Sequence, residues 1–111
     1  MDIELLIIPG CPNSGPARDL FARALALEGL DPELITVREI STDADAKVHS
    51  FRGSPTFRIA AKDIFPSTAE PAVACRVYPT AGGLSGEPSL GSLRHAIRTH
   101  AQSRKGLLNP G

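Results

Sequence analysis

A chain of 111 residues fits one ordinary domain and is long enough to bury its own core without staples. Its 12 lysines and arginines balance 12 aspartates and glutamates, so no basic excess marks it for nucleic acid. No apolar run approaches the ~20 residues that span a bilayer, and the start Met1-Asp2-Ile3-Glu4 lacks the basic opening of an export signal; a cytoplasmic protein with no membrane partner is expected.

Residues 3–8, IELLII, form a short continuous apolar run, the pattern of a strand covered on both faces. Pro9 and Gly10 stop it. A helix follows, with Ser14 as its cap and Pro16 in its first turn. Ala17, Leu20, Phe21, Ala24 and Leu25 share one face, and Gly29 ends the helix with Leu30 packing back over it. Residues 34–40, LITVREI, read as a second strand. Ser41 or Thr42 caps a short helix with acids in its first turn. Gly53 and Pro55 make a turn, residues 56–60 a third strand, and residues 61–65 a fourth, with Ile64 and Phe65 as its apolar part.

Residues 66–88 read as loop, because Pro66, Pro71, Pro79 and the pair Gly82-Gly83 break any regular pattern. Residues 73–78, VACRVY, interrupt it as an extended apolar stretch. Ser89 then caps a last helix whose Leu90, Leu93, Ile97 and Ala101 face inward, ending before Gly106. The order βαβαββα gives an α/β fold: a four-stranded mixed sheet with helices on both faces. One domain spans residues 1–103, and residues 104–111 form a tail.

Cys11 lies at the carboxyl end of the first strand, where open α/β sheets gather their ligands and catalytic groups. It also lies at the foot of a helix, whose unpaired N–H groups and partial positive charge favour a thiolate. The polar, turn-rich context GCPNSGP predicts an accessible sulfur. Ser14, one turn on, is placed to donate its hydroxyl to it. Six residues separate Cys11 from Arg18, one more than a phosphatase loop has, so phosphate chemistry is not expected. His49, His95 and His100 show no metal-ligand spacing, the last two pointing to different helix faces, and no metal site or resident cofactor is expected.

A strand, then Cys-Pro-Asn-Ser opening a helix, then Gly-Ser-Pro-Thr before another strand resembles the thioredoxin superfamily. The resemblance covers residues 3 to about 65 and the last helix. It implies a cis Pro55 beside Cys11, and a Ser54 backbone that pairs with a bound peptide or glutathione. Ser14 stands where the second cysteine usually is, as in monothiol glutaredoxins and other Cys-x-x-Ser variants. Such a thiol forms a mixed disulfide that glutathione, as co-substrate, or another cysteine must resolve. Gly10 replaces the usual aromatic and Leu5 the buried acid of thioredoxin itself. Arg52 is placed to hold a glutathione carboxylate or a thiolate, and equally to stand exposed. The segments GSPTF, DIF and CRVY are also similar to small bacterial thioredoxin-like proteins labelled as related to alkylmercury lyases. That likeness implies two thiols suited to a soft metal. Asp63 and Glu70 are the acids in the right part of the chain, and no motif matches either to the lyase acid.

Cys75 has two placements open to it. If residues 61–65 close a tight hairpin, VACRVYP returns over the Cys11 corner and Cys75 is the resolving thiol. If ACRVY is itself the fourth strand, Cys75 starts at its far end, out of reach. An inert apolar cysteine is a third reading. The expected function is thiol–disulfide exchange of glutaredoxin-like type, with Cys11 as nucleophile, Ser14 and Cys75 assisting, and Arg52, Ser54 and Pro55 holding substrate. Soft-metal or lyase-like chemistry at Cys11 and Cys75, and a partner-binding domain without redox work, are the alternatives.

Overall fold

The computed structural model describes residues 2–108, with side chains through residue 101. Strands β1 (Ile3–Ile7), β2 (Ile35–Glu39), β3 (Thr56–Ile59) and β4 (Lys62–Asp63) form one mixed sheet in the order β2-β1-β3-β4. β1 is central, parallel to β2 and antiparallel to β3, and β3 turns back antiparallel into β4. The apolar run of β1 follows from this position. Ile3 and Leu5 join one buried cluster with Phe57 and Ile59, while Leu6 joins another with Ile40, Ala46 and Phe51. Side chains alternate across a strand, so a strand covered on both faces is apolar at nearly every step; Glu4 is the exception, paired with Arg38 at 3.2 Å.

Helix α1 (Ser14–Leu27) covers the first face with Ala17, Phe21, Ala24 and Leu25. Gly29 ends it at φ +78°, a left-handed value open to glycine at little cost. The Leu30 N–H then donates to the Leu25 carbonyl at 2.9 Å, and the Leu30 side chain packs on the core. Helix α2 (Asp43–Val48) closes the second face through Ala46, capped by Thr42, whose hydroxyl accepts the Asp45 N–H at 3.1 Å. Helix α3 (Leu90–Leu108) lies beside α1 and buries Leu93, Ile97 and Ala101. Ser89 caps it, accepting the Ser92 N–H at 3.1 Å.

Several boundaries differ from those expected. β4 is two residues long, and Ile64 and Phe65 follow it rather than form it. α3 continues through Gly106 to Leu108; one internal glycine costs only about 1 kcal/mol in a helix and does not end it alone. The end of the tail, residues 109–111, lies outside the described residues. Where a loop was expected, β5 (Tyr78–Thr80) and β6 (Gly83–Ser85) make a separate hairpin. Tyr78 drives that placement: it is 2% exposed and stacks edge-on with Phe57 and Phe65, at ring-centroid distances of 6.0 and 5.2 Å. Among the described residues, no helix is long and apolar enough to cross a membrane.

Candidate functional site: the Ser54 corner

Ser54 is fully buried just before β3 begins, and its peptide bond to Pro55 is cis. Every polar atom of Ser54 has a partner. Its hydroxyl accepts the Ile8 N–H at 3.2 Å, on the β1 side. Its N–H donates to the Ala74 carbonyl at 2.8 Å, and its carbonyl accepts the Arg76 N–H at 2.9 Å. These last two bonds form a parallel bridge that sets Cys75 opposite Ser54. The Ala72 N–H, donating to the Phe51 carbonyl at 3.2 Å, extends the pairing. Residues 72–77 are therefore a strap laid along residues 51–54. The fourth strand is Lys62–Asp63 and not residues 74–78, and Cys75 lies beside Ser54.

Cys11 approaches from the other side. Its N–H donates to the carbonyl of Ile8, the residue whose own N–H holds the Ser54 hydroxyl. Cys11 is 6% exposed, against the accessible sulfur that the polar turn predicted. A turn's composition does not report what packs onto it: Gly86, from the loop before α3, lies against the Asn13 side chain of this turn, so closely that a Cβ on it would meet Asn13 Nδ2 at 2.2 Å. Ser14 also differs from expectation. Asn13 is the N-cap and Ser14 the first helical residue. From that position its hydroxyl reaches back three residues to the Cys11 carbonyl, at 3.0 Å, rather than to the sulfur. Both cysteines are free thiols, Cys11 buried and Cys75 exposed.

The strap is anchored by a residue that sequence reading left unassigned. Arg76 pairs with Asp63 at 2.7 Å, donates to the Phe65 carbonyl, and stacks over the Tyr78 ring at 4.8 Å. Its β-carbon abuts Gly53, where an added Cβ would stand 2.8 Å away. The Tyr78 hydroxyl donates to the Pro55 carbonyl. Burial holds that phenol well above its ordinary range against the opposing charge of Arg76, with Asp63 adding to the rise, so it stays a donor. Asp63 also accepts the Phe65 N–H at 2.8 Å; of the two acids in this part of the chain, Asp63 is thus a structural anchor, while Glu70 is exposed. The strap's anchors could have been sought in sequence only as an arginine and an acid with an aromatic two residues after the arginine, a pattern too common to identify them.

Arg52 donates to the Ala69 carbonyl and borders, with Cys75 and Arg76, a cavity of about 510 Å³ beside the strap. His95 and His100, expected on different faces, both line a second cavity of about 630 Å³ between α3 and Ile64–Pro66. Among the described residues no cluster of three or more metal-ligating side chains occurs. No known protein family, curated protein or solved structure matches this chain.

Proposed function

We propose that this is a thioredoxin-like redox protein in which Cys11 and Cys75 form and release a disulfide across Ser54, in exchange with thiol or disulfide partners. The observation that carries this reading is the parallel bridge that sets Cys75 beside Ser54, the residue whose hydroxyl also holds Ile8 and through it the Cys11 turn. Cys75 then supplies the second thiol that Ser14 cannot. Oxidation joins the two sulfurs and passes two electrons and two protons to the partner disulfide, which leaves as two thiols. In a reducing cytoplasm, the setting proposed, both thiols rest free.

This reading departs from a monothiol glutaredoxin. The Ser54 N–H and carbonyl, which a bound peptide or glutathione would use, are paired with the strap. The lyase-like alternative is less favoured, because Asp63 is engaged by Arg76 and Phe65.

Treatment with excess oxidised dithiothreitol, followed by non-reducing digestion and mass spectrometry, tests the proposal. The expected product is one chain with its Cys11 and Cys75 peptides linked, reversed by reductant. A monomer carrying no such link after full oxidation would rule the two-thiol site out.

A further inference from the structure

We infer that Cys75, not Cys11, is the thiol that first attacks an incoming disulfide, and that the cavity beside the strap receives that disulfide in anionic form. The inference rests on the two-thiol reading above and fixes its order and its substrate class.

Access separates the two sulfurs. Cys11 is 6% exposed, whereas Cys75 is exposed and lines the 510 Å³ cavity together with Phe65, Val77 and Tyr78. Exchange requires a thiolate to meet a disulfide sulfur along the S–S axis, so a thiol on an open wall reacts before a covered one. Charge separates the possible substrates. The charged residues lining the cavity are Arg52 and Arg76. The Arg76 charge is offset by Asp63 at 2.7 Å. Arg52 donates to the Ala69 carbonyl and has no carboxylate partner among the described residues. A carboxylate-bearing disulfide is therefore favoured over a cationic one.

The chemistry balances in two steps. The Cys75 thiolate attacks one sulfur of the disulfide. The old S–S bond breaks, a mixed disulfide forms on Cys75, and the first thiolate leaves to take a proton from water. The Cys11 thiolate then attacks the Cys75 sulfur, forming the internal bond and expelling the second thiolate. Two electrons pass from the protein thiols to the substrate.

Rapid-quench mass spectrometry with 5,5′-dithiobis(2-nitrobenzoate), an anionic disulfide, locates the first adduct on the wild-type protein, with cystamine as the cationic comparison. The first adduct is expected on Cys75. C11S should accumulate that adduct, and C75S should react at least tenfold more slowly. Arg52→Met should slow the anionic probe several-fold and leave cystamine unchanged. A first adduct on Cys11, with C75S reacting at the wild-type rate, would overturn the order. Equal slowing of both probes by Arg52→Met would overturn the anionic preference. These failures are distinct from failure of the two-thiol reading, which would show as a Cys75 adduct that never proceeds to the internal disulfide.

Discussion

Gly53 is the residue on which the strap depends. Its φ of +126° lies where side chains are strained, and an added β-carbon would stand 2.8 Å from that of Arg76. Gly53→Ala must therefore distort the turn, lift the strap, or both. We expect a loss of about 2 kcal/mol, in the range of one strained backbone site, together with faster hydrogen exchange of the Ser54 and Arg76 amides that pair the strap. Denaturant midpoints and amide exchange measure the two effects, and an alanine variant as stable and as slow to exchange as wild type would contradict this role. At this scale the sequence made Cys11, Ser54 and Pro55 conspicuous, because a strand end, a proline turn and a helix start are written in adjacent residues. The burial of Cys11 and the carbonyl-directed hydroxyl of Ser14 were not legible. Both depend on which residue takes the N-cap and on packing from residues far along the chain.

Between elements, one carboxylate joins two helices. Glu28, at the end of α1, meets Arg94 at 2.7 Å and Arg98 at 2.9 Å on α3. Hydrogen bonds from Arg98 and then Arg94 hold its carboxyl down at about 2, from an ordinary value of 4.5. The folded chain thus favours the ionised form. The resulting stabilisation is whole above about pH 4.5 and is lost as the pH falls through about 2. Glu28→Gln should be less stable than wild type at neutral pH, with the difference shrinking across that window. Urea melts between pH 2 and pH 6 would show it, and a constant gap would refute it. The helices themselves were legible, since Ala17, Phe21, Ala24 and Leu25 repeat at helical spacing and Gly29 closes the pattern. Their clamp was not, because Glu28 and Arg98 are remote in sequence and neither residue signals its partner. The hairpin at Tyr78–Ser85 was hidden for another reason. Its proline and glycines read locally as loop, and only the burial of Tyr78 in the aromatic cluster orders it.

Over the whole molecule, the two faces of the sheet are unequally defended. The first is covered by α1, α3 and the Phe57 cluster, whereas the second relies on six-residue α2, Phe51 and the strap residue Val73. Joining Cys11 to Cys75 would tie the strap to the start of α1 and close a loop of roughly 60 residues. Loop entropy alone would then stabilise the fold by about 4 kcal/mol, less any strain in the bond. The oxidised protein should melt several degrees above the reduced one, and C75S should melt alike in both buffers. Equal melting of oxidised and reduced wild type would argue that the bond strains the fold as much as it restrains the chain.

The shortness of β4 has a consequence of a different kind. Its pairing with Arg58 and Ile59, extended by the Ile64 N–H to the Phe57 carbonyl, stops at β3 and would leave the segment before it, residues 51–54, with bare amide and carbonyl groups. Such a margin recruits strands from other molecules. The strap continues the cover at Phe51 and Ser54 with the chain's own backbone. A protein that let the strap go would therefore do more than displace Cys75. It would offer neighbouring copies a template for intermolecular pairing, and its concentration limit before self-association would be set by how rarely residues 72–77 leave their place.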